Sequence, residues 1–252
     1  MMKDLNKNFA TAIKDLVWLL DRGYPKKSSI ELVGNRYGLS REERLMLYRG
    51  VFETETCIMR RRKKVSAHDV QKAGELYIDC YNLIITLRSY LLGRPVFRGL
   101  DGYVRDTAGV YGNLSYDNMV SRILSVITES LEALFGVSGK KTSAKKANNE
   151  KVNDKGVLVQ FYLDAPVSRS GDLALDINKV QVREPLILKA VLSRNPDLEM
   201  LEMHDNSGGI IVSSDTVVID RAKRIFDFAE WIISHRFKGE VFDLIRCYEE
   251  CN

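Results

Sequence analysis

One stretch, Glu75-Leu76-Tyr77-Ile78-Asp79-Cys80-Tyr81-Asn82, constrains the fold more than any other. A short apolar run ends in Asp79, and a helical pattern (Leu83, Ile84, Leu87, Leu91) starts at once. A strand that passes straight into a helix is a building block of open α/β folds, whose sites lie at the carboxyl edge of the sheet. The stretch therefore places a carboxylate at that edge. The pattern recurs where Val157–Leu163 runs into Asp164 and where Gly209–Ser214 runs into Asp215. Three strand-end aspartates in one chain predict convergence on a metal.

The rest of the second half alternates between strand and helix. Residues 116–136 carry Met119, Val120, Ile123, Leu124, Ile127, Leu131 and Leu134 at helical spacing, closed by Gly136 and Gly139. Beyond Asp164, Pro166 holds Ala165 extended, and Ser170-Gly171 opens a helix to about Val182. Pro185–Leu192 reads as a helical or mixed segment and Leu198–Met203 as a short strand. Arg221–His235 and the tail from Val241 read as helices. This alternation predicts an α/β domain over residues 75–252, a mostly parallel sheet sandwiched by helices. A Lys/Asn/Ser/Ala-rich tract at 138–156 lacks apolar period and reads as a flexible basic segment that interrupts the domain.

Residues 1–74 read differently, as a small all-α domain. Leu5, Phe9, Ile13, Leu16, Val17 and Leu20 share a helix face, stopped by Gly23 and Pro25. A second helix fits Ser28–Tyr37. Ser40-Arg41-Glu42-Glu43 is a capping box that starts a third, running to about Phe52. The tight Gly38 turn between them admits two readings, a helix-turn-helix that contacts nucleic acid or a packing unit.

Charge separates the same regions. Residues 1–74 carry 16 Lys+Arg against 9 Asp+Glu, the tract 138–156 carries 6 against 2, and the remainder 16 against 23. A basic front and an acidic body suit attraction to nucleic acid together with a carboxylate site. Arg60-Arg61-Arg62-Lys63-Lys64 has no interleaved acid, and a phosphate backbone would relieve its repulsion. The loop at 93–106 is long for an α/β domain. Its Arg94, Arg98 and Arg105, with Asp101 and Asp106, suit either phosphate contacts beside a metal or internal ion pairs.

Clustered carboxylates repel unless a cation neutralises them. Oxygen donors without Cys or His select Mg²⁺ or Mn²⁺, and such an ion can activate water at a phosphorus centre. Taken singly, each Asp would serve equally well as a helix N-cap. His68, His204 and His235 are scattered, and no Gly-rich phosphate loop precedes a Lys-Ser/Thr pair. The four cysteines form no CxxC pair and read as reduced thiols. No apolar run reaches membrane-spanning length and Met1-Met2-Lys3-Asp4 opens no export signal, so no membrane partner and a cytoplasmic location are expected.

These residues resemble a known group. Ile78-Asp79-Cys80-Tyr81-Asn82 is similar to the first motif of the NYN branch of PIN-like nucleases, a strand followed by Asp-Gly-Tyr-Asn. Ser213-Ser214-Asp215 resembles the late Ser/Thr-x-Asp motif, and Asp164 falls where a middle acid is expected. The chain as a whole looks like an uncharacterised prokaryotic family, prominent in archaea, in which a helical domain of unknown function precedes a PIN-like half. The resemblance implies a PIN-like domain and a Mg- or Mn-dependent ribonuclease. Asp79, Asp164 and Asp215 would bind the metal, Asn82 would orient a water or ligand, and Asp220, Asp101 and Asp106 would be secondary acids. RNA is the first expected partner and DNA the second, with homo-oligomers left open. Cys80 stands where the motif has Gly, and would be strained if that position required close backbone approach or φ > 0. The alternative is a non-catalytic RNA- or DNA-binding regulator on a degenerate fold; a third reading is a partner-binding scaffold.

Overall fold

The computed structural model describes residues 7–108, 117–137, 141–143 and 156–249. In chain order its elements are helices α1 (Phe9–Leu20), α2 (Lys26–Arg36), α3 (Arg41–Gly50), α4 (Thr54–Arg62) and α5 (Ala67–Gln71), then strand β1 (Glu75–Asp79) and helix α6 (Cys80–Leu91). Strands β2 (Val96–Arg98) and β3 (Val104–Asp106) follow, then α7 (Asn118–Leu134), β4 (Lys141–Ser143), β5 (Val157–Asp164), α8 (Ser170–Lys179), β6 (Gln181–Arg183) and β7 (Leu186–Ser193). The chain closes with α9 (Pro196–Ser207), β8 (Ile210–Val212), α10 (Thr216–Arg221), α11 (Phe228–His235), β9 (Phe242–Asp243) and α12 (Leu244–Glu249). These form two compact units. The first comprises Met1–Arg62, Ser89–Gly109 and Ile233–Asn252, and the second Lys63–Arg88 and Val110–Ile232.

The first unit is built on the periodicity of α1, whose Phe9, Ala12, Ile13, Leu16, Val17 and Leu20 are all buried. They share one core with Ile30, Val33, Met46, Leu47, Val51 and Phe52, and with Phe97, Leu100 and Leu244 from far along the chain. Each such side chain removed from water contributes about 2 kcal/mol. The expected capping box forms: Ser40 Oγ accepts from Glu43 N at 3.2 Å, and Ser40 N donates to Glu43 Oε2 at 2.7 Å. Gly38 closes the turn between α2 and α3 at φ +62°. The basic run at 60–64 begins as the last turn of α4, a helix end where cations are favoured. The loop at 93–106 carries a short antiparallel pair, β2 with β3.

The second unit holds a four-stranded sheet in the order β7-β5-β1-β8. Its three pairings are all parallel. Parallel strands covered on both faces read as continuous apolar runs, and Leu76, Tyr77, Ile78, Val159, Phe161, Leu163 and Ile210–Val212 are buried accordingly. Two expectations are corrected. The segment expected to be helical or mixed is strand β7 (Leu186–Ser193), fixed by parallel pairing with β5 along its whole length. Residues 198–203 lie within helix α9, which Pro196 opens with acids in its first turn. Within the segment expected to be flexible, β4 pairs antiparallel with β6. The other residues of 138–155 lie outside the described part.

Candidate functional site

The strand order decides where a site can sit. From β1 the sheet grows outward through β5 and β7, and the chain then returns to place β8 on the other side of β1. The boundary between β1 and β8 is a topological switch point, where ligands of open α/β sheets bind, outside the carboxyl ends of the strands. Asp79 is the last residue of β1 and Ser213 the first beyond β8.

Register sets the carboxylates on one side of that edge. Asp79 stands beside Tyr162 in β5, so Asp164, two residues on, faces the same way. Ile78 pairs with Val212, which brings Ser213 level with Asp79. The Ser213 hydroxyl donates to Asp79 Oδ2 at 2.9 Å, and Asp79 Oδ1 accepts from Asn82 N at 3.2 Å as a helix cap would. Asp215 N donates back to Ser213 Oγ at 3.1 Å, and Asp215 Oδ1 caps α10 through Val217 N and Val218 N. Asn82 is buried, and its Oδ1 accepts from Ser214 N and Ser214 Oγ at 3.0 and 2.9 Å. The Asn82 amide thus ties α6 to the segment after β8, holding Asp79 and Asp215 in fixed relation.

A fourth acid joins them. Asp197 lies at the start of α9, just beyond β7, so every strand of the sheet leads to a carboxylate at this end. Burial first, then the charges of Asp197 and Asp215, push the Asp79 carboxyl up to about 7, against the hydrogen bonds from Asn82 and Ser213. Asp197 reaches solvent, yet partial burial followed by Asp215 and Asp164 raises it as well. Burial also raises Asp164. No ion pair to a basic side chain relieves any of the four among the described residues.

The alignment with known families follows the same division of the sequence. The model described as Domain of unknown function (DUF5616) matches residues 69–139 and 146–231, the span that carries all four acids. The chain belongs to that family. Ahead of the DUF5616 span, residues 8–63 match Protein of unknown function (DUF434). The chain is also similar to "Uncharacterized protein MJ0935" of the archaeon Methanocaldococcus jannaschii, 27% identical over 208 residues that cover 82% of this chain and 87% of that protein. No solved structure matches.

Within the DUF5616 span, Cys80 opens α6 in ordinary backbone; among the described residues only Arg169 and Lys238 combine a side chain with positive φ. The backbone there therefore does not need the positive φ that favours glycine. Burial, then Asp79, pushes the Cys80 thiol up and keeps it protonated. Asp220 stands exposed on the last turn of α10, where its backbone carbonyl accepts from Lys63 Nζ at 2.6 Å. His204 is structural: its Nδ1 bonds the Gly209 carbonyl at 2.6 Å and its Nε2 accepts from Lys223 N at 2.9 Å.

The remaining sequence candidates are mostly engaged inside the protein. Asp101 is fully buried and bidentate to Arg105 at 2.7 and 2.8 Å, with Arg60 Nη1 at 3.1 Å. Burial alone would raise Asp101, but the two guanidiniums outweigh it and hold the carboxyl below the usual range. Asp106 is paired with Arg49 at 3.2 Å, and Arg98 with Asp243 at 2.6 Å. Lys64 bridges Asp227 and Glu230, and Lys63 Nζ donates to the carbonyls of Ile219 and Asp220. Arg61, Arg62 and Arg94 are exposed.

The donor set suits a hard divalent cation: carboxylate and hydroxyl oxygens without sulfur, imidazole or a basic partner. Among the described residues no group of three or more His, Cys, Asp or Glu side chains is arranged to hold a metal ion. Mg²⁺ is commonly held by only one or two carboxylates, with water and substrate phosphates completing its shell. The charges of Asp197 and Asp215 both act on Asp79, so these pairs are the ones to which that lesser requirement applies. Among the described residues no helix is long and apolar enough to cross a membrane.

Proposed function

We propose that the chain is a Mg²⁺- or Mn²⁺-dependent nuclease with a PIN-like domain, hydrolysing phosphodiester bonds in RNA. One observation carries this reading: acids at the ends of β1 and β5 and just beyond β7 and β8 lie toward the switch-point edge, where burial first and then neighbouring carboxylates raise Asp79 and Asp197, and no basic side chain among the described residues pairs with them. Uncompensated like charge of this kind marks functional sites more than stable ones. The Asp-x-Tyr-Asn and Ser-Ser-Asp segments supply this edge, which supports the PIN-like resemblance.

Asp79 with Asp197 would hold the ion, with Asp215 and Asp164 beside them. When bound, the ion supplies Lewis-acid polarisation of a phosphodiester and a more acidic water. The chain's own residues contribute position. Ser213 fixes the Asp79 carboxylate, and Asn82 locks the Ser213-Ser214-Asp215 segment against α6. The basic front would draw a polyanion toward the molecule.

The test is cleavage of single-stranded and structured RNA by the purified chain, with Mn²⁺, Mg²⁺ or chelator, beside Asp79→Asn. The reading expects metal-dependent cleavage that the variant loses by a factor of at least 10². A second reading, a non-catalytic RNA- or DNA-binding protein on the same fold, draws on the lack of a three-acid metal group among the described residues. Salt-sensitive RNA binding without cleavage in any metal would favour it.

A further inference from the structure

Three large aromatic side chains of the first unit remain in water: Trp18 is 52% exposed, Tyr24 54% and Tyr48 47%. The core of this unit is complete without them. Exposed aromatics grouped on one surface point to a ligand. Trp18 and Tyr48 each lie beside a cation, and Tyr24 stands between those two cations in the chain. The Arg22 guanidinium lies 3.7 Å from the Trp18 ring centre, and its Nη1 donates to the Trp18 carbonyl at 3.1 Å. Tyr24 follows in the same turn, tied to Leu19 O through its own N–H. Lys26 Nζ comes next, 5.5 Å from the Tyr48 ring centre and 3.7 Å from that of Phe52.

The turn is held rather than loose. Gly23 closes it at φ +78°, and Asp21 accepts from both Thr54 N and Thr54 Oγ1 at 2.7 Å. Asp21 is thereby committed to α4, and the acids that act on Lys26 are Glu53 and, more weakly, Asp101. Positive charge prevails around Lys26. Arg60 also stacks on Phe52, at 4.2 Å, and the unit carries 19 Lys+Arg against 14 Asp+Glu, a net +5. Burial, opposed by Glu53 and reinforced by Arg60 and Arg105, pushes Lys26 down to about 8, which an added anion would reverse.

Aromatic faces alternating with cations suit a single-stranded nucleic acid, whose unpaired bases stack while its phosphates meet Lys and Arg. We propose that the α1–α2 turn, with Tyr48 beside it, is a binding surface for single-stranded nucleic acid. Bases stack on Trp18, Tyr24 and Tyr48, and phosphates meet Arg22, Lys26 and Lys27, the last exposed beside Lys26 in the first turn of α2. A duplex hides its base faces and engages only the cations. The surface does not depend on the nuclease reading, since it requires no metal and none of the four sheet-edge acids.

The experiment is fluorescence anisotropy of the full chain in chelator, so that cleavage plays no part. The probes are a labelled unstructured 20-nucleotide RNA, DNA of the same sequence, and the DNA duplex. Both single strands should bind more tightly than the duplex. Trp18→Ala and Tyr24→Ala should each weaken single-strand binding by roughly tenfold, whereas Trp18→Phe should stay within about threefold. Lys27→Gln should lower the slope of log affinity against log salt by about 0.7. Circular dichroism melts establish that the exposed-site variants are folded. Binding unchanged by both alanine variants, equal affinity for duplex and single strand, or no binding at all would overturn the proposal. None of those outcomes bears on whether the sheet-edge acids support cleavage.

Discussion

Replacing Asp79 by Asn should stabilise the protein above neutral pH while removing its proposed activity. The carboxyl of Asp79 is raised to about 7 from an ordinary 3.8, first by burial and then by Asp197 and Asp215. Between those two values the folded protein holds a proton that the unfolded chain has released. Stability therefore falls as pH rises through this window, and the loss is complete above the folded value. A difference of roughly three pKa units corresponds to about 4 kcal/mol in full, and to about 2–3 kcal/mol between pH 5 and pH 8. Asparagine keeps the shape and the acceptor for Asn82 N, and carries no charge to desolvate. The assay is urea denaturation of wild type and Asp79→Asn at pH 5 and pH 8. The wild type should lose about 2–3 kcal/mol more than the variant over that interval. Parallel pH dependences would refute the argument that the Asp79 charge is buried without compensation.

Other sites give simpler expectations. Asp101→Asn leaves Arg60 and Arg105 buried without their shared carboxylate, and should cost about 3–5 kcal/mol in chemical denaturation; a loss under 1 kcal/mol would contradict a structural role. Gly209→Ala would set a Cβ 2.7 Å from Tyr77 Cε2 and 3.1 Å from the Glu75 carbonyl. Because Tyr77 is fully buried in β1, the entry to β8 must shift, at about 1–3 kcal/mol by thermal melting.

Much of this arrangement was legible because the strands of the second unit are buried on both faces. Val157–Asp164 and Glu75–Asp79 stand out as apolar runs ending in an acid, and parallel topology carries such ends to one edge. Asp197 escaped the same reasoning. Strand β7 has a mixed pattern of core and solvent positions, starts after Pro185, and stops at Ser193, four residues short of the acid. The signal present was Asn195-Pro196-Asp197, a proline at the first helical position followed by acids in the first turn. The basic run misled in another way. Composition counts cations, but Arg60, Arg98, Lys63 and Lys64 each meet an internal acceptor distant in sequence, and Arg105 meets Asp101 four residues away. The joining of Phe97, Leu100 and Leu244 to the helical core rests on contacts between distant segments, which leave no local period. Cys80, which replaces the motif's Gly, has no positive φ, so that condition for strain is not met there.

Divalent-metal binding tests the central claim most directly, and Asp197 is the acid on which to base it, since only the structure brings it to the edge. Calorimetric titration of the full chain with Mn²⁺ at pH 7.5 should give saturable binding in the wild type. Asp197→Asn and Asp79→Asn should each weaken that binding by at least about tenfold, the scale of about 1.4 kcal/mol expected for a lost carboxylate contact. Identical isotherms for wild type and both variants, or no heat of binding in any of them, would contradict a metal site at the switch-point edge.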